Sequence, residues 1–67
     1  EQKLQSALNK ISDRQREIIH MKFFQEMDYE QIAAIMDLNY QSARNLVARA
    51  LTAMRKAMIW LLLFAVI

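Results

Sequence analysis

Gln41, Arg44, Asn45 and Arg49 recur at the three- and four-residue spacings that bring side chains onto one face of a helix. Arginine can form a planar pair of hydrogen bonds with the O6 and N7 edge of guanine. Asparagine and glutamine can do the same with N6 and N7 of adenine. Tyr40 and Ser42 flank this face where the helix would begin, and Ala48 completes it without blocking it. Arginine and hydroxyl side chains also bind phosphate oxygens, and a helix N-terminus favours that anion. The chemistry on offer is recognition of duplex nucleic acid rather than the making of bonds. Catalysis is not expected, because there is no nucleophile–base pair and no glycine-rich phosphate loop. The carboxylates stand at helix starts, where capping explains them. With one His and no Cys, a disulfide scaffold and a thiolate zinc site are excluded, and neither a metal nor a cofactor is expected.

Charge supports the same surface. All the acidic residues precede Leu38, and the segment to that point has a net charge of −2. After it come Arg44, Arg49, Arg55 and Lys56 and no acid, a net +4. An acid-free basic helix suits a phosphate-lined partner. Charge alone fits a solvated face better, so the argument rests on its coincidence with the spacing above.

The elements that must hold this face follow from hydrophobic period and capping chemistry. The 67 residues make one domain, and without Gly or Pro to interrupt them, long helices are expected. Leu4, Leu8 and Ile11 mark a first helix over Gln2 to Lys10. Ser12 is an N-cap, with Asp13 favourably placed after it. The second helix then runs to about Phe24, covered through the pairs Ile18 with Met21 and Ile19 with Phe23. His20 among them reads as a packed or half-exposed helix residue. Gln25 to Met27 connect to a third helix, Tyr29 to Met36, with Asp28 as N-cap and Gln31 able to close a capping box. Ile32, Ala33 and Met36 lie on one side of it. The break at Asp37–Leu38–Asn39 needs a left-handed residue, and Asp37 tolerates that conformation. Asn39 then caps a fourth helix from Tyr40 to about Leu63, roughly 35 Å long. Ala33 lets two helices cross closely, Leu38 serves as an inward plug, and Ala43, Leu46, Ala50 and Met54 face back into the core. The result is an all-α, four-helix domain with a helix-turn-helix and a long C-terminal recognition helix.

The runs Asp13-Arg14-Gln15-Arg16-Glu17-Ile18-Ile19 and Asp28-Tyr29-Glu30-Gln31-Ile32-Ala33-Ala34-Ile35-Met36-Asp37 resemble region 4 of extracytoplasmic-function RNA polymerase sigma factors. The resemblance covers roughly residues 4 to 56. It implies sequence-specific binding of the −35 promoter element, docking on the RNA polymerase core, and a cytoplasmic bacterial protein that directs transcription initiation. By position it carries DNA contact to Tyr40, Gln41, Ser42, Arg44, Asn45 and Arg49. The sequence departs from the family pattern at Glu26 and at Asp37, where Gly is common, and at Ala43, where a larger residue is usual. Two other readings stand beside it: a response-regulator output domain with the same motif, and a helical interaction module without DNA contact. Glu1 in place of Met leads us to expect the C-terminal piece of a longer chain.

Beyond Lys56 the outer face of the fourth helix turns apolar. The run Ala57 to Ile67 is too short to cross a bilayer. A helix apolar on all sides needs more cover than so small a domain supplies. A protein contact is therefore expected through Ile59, Trp60, Leu63, Phe64 and Ile67, with the flap of the polymerase core, an anti-sigma factor, a sigma region 2 or a second copy as candidates. The alternative is that this tail folds back to complete the core.

Overall fold

A computed structural model describes the backbone of residues 2–66 and the side chains of residues 6–63. Four α-helices follow one another: α1 (Gln2–Asn9), α2 (Asp13–Ile19), α3 (Tyr29–Met36) and α4 (Tyr40–Val66). A π-helical turn, His20–Phe24, continues α2.

Two capping boxes of the same design start α2 and α3. The Ser12 hydroxyl accepts from the Gln15 amide at 3.1 Å, and the Gln15 side chain accepts from the Ser12 amide at 3.3 Å. Asp28 and Gln31 repeat the exchange at 2.8 and 2.9 Å. Each box satisfies two backbone donors that the helix itself leaves orphaned. Asn39 starts α4 by accepting from the Ser42 amide at 2.7 Å. The expected caps are therefore in place, and α3 has the expected bounds. The first helix stops one residue short of Lys10, and α4 runs past Leu63 to Val66.

Two helix ends turn through left-handed residues that are not glycine: Glu26 (φ 55°) and Asp37 (φ 56°). In each case the amide that follows the left-handed residue reaches back to a carbonyl of the preceding helical turn. Met27 N donates to Met21 O at 3.0 Å, and Leu38 N to Ala33 O at 2.8 Å. The second is the six-to-one bond of a Schellman ending, whereas the first reaches one residue further back across the wider π-helical turn; both endings use a left-handed residue.

The core lies where α4 packs against α1, α2 and α3 together. Ile18, Ile19, Ile32 and Val47 are its largest fully buried side chains. Ala33, Ala43 and Ala50 are also buried, so α4 meets its neighbours largely through small residues that permit close backbone approach. Ala7 and Val47 were not expected inside; both are fully or almost fully covered. Leu46 and Met54 only flank the core. Leu4 lies outside the described side chains.

Two expectations need correction. Phe23 was expected to share the buried stripe with Ile19, yet it is 49% exposed. The π-helical turn, closed by Gln25 N donating to His20 O at 3.0 Å, inserts a residue and rotates the following face outward. Leu38 is not an inward plug. It is half-buried and lines a surface cleft instead, and it is not among the residues packed on the core.

The 27 residues of α4 span about 40 Å at helical rise, which accounts for the 43 Å long axis of the molecule. Among the described residues, no helix is long and apolar enough to cross a membrane.

Candidate nucleic-acid interface

The break at 37–39 separates α3 from α4 and leaves the first turns of α4 with one face on the core and one outside. Ala43 and Val47 point inward, whereas Gln41, Arg44, Asn45, Ala48 and Arg49 are all exposed. Tyr40 is also exposed at the helix start, and Ser42 is half-buried beside it. The structure thus brings together on one surface all six residues singled out for DNA contact: Tyr40, Gln41, Ser42, Arg44, Asn45 and Arg49.

Local contacts order part of this face. Gln41 Nε2 donates to Asn45 Oδ1 at 3.2 Å, one turn along the helix. That bond uses one donor and one acceptor and leaves the remaining amide groups available for a base edge. The Arg44 guanidinium carbon lies 5.8 Å from the Tyr29 ring centroid and 6.0 Å from that of Tyr40. Among the described residues, neither Arg44 nor Arg49 enters an ion pair, so their charge is not neutralised within the chain.

The surface reaches beyond α4. A cleft of about 270 Å³ is lined by Arg14, Leu38, Ser42, Asn45, Leu46 and Arg49. Arg14, from the first turn of α2, therefore stands beside the α4 face. Its neighbour Arg16 does something different: it reaches the Leu8 carbonyl and the Asn9 side chain at 3.4 Å each and pairs with Asp13. It thereby ties the end of α1 to the start of α2, with a cation where the helix dipole is negative. Lys22, on the π-helical turn, lies 4.6 Å from the Tyr29 ring centroid. Neither Arg14 nor Lys22 was singled out from the sequence, because only tertiary packing brings Arg14 to the cleft beside α4 and Lys22 against the Tyr29 ring.

The apolar end of α4 is open as well. Ile59, Trp60 and Leu63 are each about half exposed, and Leu62, not singled out before, joins them. Phe64 and Ile67, expected in the same surface, lie outside the described side chains. A groove of about 410 Å³ runs along this part of the helix between Leu51, Met54, Met58 and Leu62. Met58 and Leu61, on the other side of the same stretch, are half-buried, so the described tail has one covered side and one open side.

His20 is exposed and stacks on Phe24 with centroids 5.5 Å apart. It belongs to the π-helical turn rather than to the interface.

Comparison with protein families finds a match to the model described as sigma-70, region 4, over residues 1–54. The matched span contains the two capping boxes, both left-handed turns and the whole exposed face of α4 to Arg49, and it ends before the apolar tail. No curated protein and no solved structure matches the chain.

Proposed function

Because the chain belongs to the sigma-70 region 4 family, we propose that it binds the −35 element of promoters sequence-specifically, as the region 4 of an extracytoplasmic-function sigma factor that directs the RNA polymerase core in transcription initiation. The observation that carries this reading is the exposed, acid-free face of α4. It combines bidentate readers (Gln41, Arg44, Asn45) with phosphate-binding groups (Tyr40, Ser42, Arg49) on a helix long enough to lie in a major groove. Gln41, Arg44 and Asn45 are the base readers in this reading. Tyr40, Ser42 and Arg49, with Arg14 and Lys22 on neighbouring elements, hold the phosphates. Two arginines on the reading face give modest affinity for DNA in isolation, and attachment to polymerase compensates by raising the effective concentration. No catalytic step belongs to this function, and its setting is the cytoplasm of a bacterium.

The test is binding of the chain to randomised duplex oligonucleotides at several salt concentrations. Affinity should fall steeply as salt rises, since neutralised phosphates release counterions. Arg44→Ala should cost about 1–3 kcal/mol on preferred duplexes and flatten preference at one position. Arg49→Ala should weaken all duplexes alike. A chain whose DNA affinity is absent or indifferent to salt would leave only the interaction-module reading.

We assign the exposed Ile59, Trp60 and Leu63 to a protein contact, either with polymerase core or an anti-sigma factor or with a second copy of the chain. Exposed apolar residues grouped around a tryptophan support it. Trp60→Asp should abolish self-association in sedimentation or weaken binding to polymerase core. Neither measurement changing would dispose of this assignment.

A further inference from the structure

Tyr29 stands on the helix before the turn, yet it touches the face carried by the helix after it. It is the first residue of α3, half-buried, and packs against the core. Its ring meets Tyr40 edge-on, with centroids 5.7 Å apart and planes at 81°. The Arg44 guanidinium lies within reach of both rings, at 5.8 Å from Tyr29 and 6.0 Å from Tyr40. Lys22 Nζ approaches the Tyr29 ring to 4.6 Å and lies 3.5 Å from the Met27 carbonyl oxygen.

An exposed arginine on a helix is otherwise a long, mobile side chain whose ordering must be met at the moment of binding. A guanidinium is planar and weakly hydrated, so it stacks on aromatic surfaces where an ammonium would stay in water. The ring quadrupoles of Tyr29 and Tyr40 attract it. Lys22 places a second positive charge against the same Tyr29 ring, which disfavours Arg44 conformations that swing toward the π-helical turn. Tyr40, itself exposed, gains an edge-on aromatic partner fixed in the neighbouring helix.

Resting on the nucleic-acid reading above, we propose that Tyr29 is a positioning residue for specificity: its ring, braced edge-on by Tyr40, pre-sets Arg44 for base recognition from the adjoining helix. Tyr29 acts through Arg44, so its effect falls on the discrimination between sequences rather than on the general attraction to phosphate.

The experiment compares the chain with its Tyr29→Leu, Tyr29→Phe, Arg44→Ala and Tyr29→Leu/Arg44→Ala variants on a library of randomised duplex oligonucleotides, scoring enrichment base by base. Tyr29→Leu should reduce preference by about two- to five-fold, the range of an exposed cation–π contact, at the position that Arg44→Ala also flattens. Tyr29→Phe keeps the ring and should retain the wild-type profile. The double variant should be no flatter at that position than Arg44→Ala alone. A uniform loss of affinity in Tyr29→Leu with its profile intact would show a merely structural residue and overturn the proposal. Losses that multiply in the double variant would do the same. Independently of DNA, the Arg44 side-chain methylene protons of the wild-type chain and of Tyr29→Phe should resonate upfield through the ring current. Ordinary shifts there would overturn the positioning even if Tyr29→Leu fails to fold. If those shifts are upfield but the wild-type chain enriches no sequence, the DNA reading itself fails, and the inference falls with it for that separate reason.

Discussion

Replacing Asp37 with glycine should stabilise the fold, and the size of the gain follows from one backbone angle. Asp37 closes α3 with φ 56° and ψ 50°, inside the left-handed region. That conformation costs an L-residue about 1–2 kcal/mol, with Asp near the lower end because its short polar side chain suits it. Glycine removes the cost but adds about 0.4–1 kcal/mol of unfolded-state entropy that folding must overcome. The difference leaves a net gain of about 0.5 kcal/mol for Asp37→Gly. Glu26 has the same backbone (φ 55°) and a longer side chain less suited to it, so Glu26→Gly should gain about 1 kcal/mol. For a domain of this size, these gains raise the thermal midpoint by about 2–4 °C and 4–8 °C respectively. Thermal unfolding followed by circular dichroism reads both. Asp37→Asn, which removes the charge and keeps the tolerance, serves as the control and should be neutral. Asp37→Val, β-branched and ill-suited to positive φ, should destabilise. If Asp37→Gly lowered the midpoint while Asp37→Asn left it alone, the bend would depend on something other than backbone strain, and the account of how α4 is set off from α3 would be wrong.

Two further outcomes test the packing and the extent of the interface. Ile32→Ala empties a fully buried site between α3 and α4 and should cost about 2–5 kcal/mol. That approaches the whole stability of a domain this small, so the variant should lose most of its helical signal at room temperature; a cooperative transition at the wild-type denaturant midpoint contradicts the assigned core. Arg14→Gln and Lys22→Gln should each lower the salt dependence of DNA binding by about 0.9 in log–log slope, without altering which sequences are preferred. An unchanged slope takes the residue out of the interface.

The legible parts of this protein were those decided by local chemistry. Ser12, Asp28 and Asn39 cap because a short side-chain oxygen meets an orphan amide two or three residues on, and that arrangement depends on nothing distant. The exposed face of α4 followed from the helical period alone, since residues opposite a buried stripe have nowhere to go but outside. Failures came where tertiary packing or backbone irregularity intervened. Phe23 keeps helical spacing from Ile19 in the sequence, but the π-helical turn between them breaks the register, and no residue type announces such a turn. Leu46 was placed on the inner face and Val47 was not, although Val47 is the buried one. The spacing Ala43, Val47, Ala50, Met54 would have identified it, because small residues on a close-packed seam bring the moderate valine to its centre. Ala7 escaped for the same reason. Arg14 and Arg16 are two residues apart and chemically alike, and only the fold sends one to the α4 cleft and the other to the end of α1.

The division of labour along α4 follows from what each stretch can bury. From Tyr40 to Met54, α4 lies against three other helices, so its inner residues are small and its outer residues can be given over to polar recognition without cost to the core. Beyond Lys56, Ala57, Met58 and Leu61 stay half-buried, but the apolar residues on the outer side add nothing to this domain's own core. Ile59, Trp60, Leu62 and Leu63 are exposed together in a region past the matched family span. An apolar surface that the fold does not use is a liability for solubility unless something else covers it. The same uninterrupted helix thereby joins the exposed polar face to the apolar surface. A partner bound at the far end would consequently be held at a fixed rotation about the helix axis relative to Arg44, about 1.5 Å further along for each intervening residue.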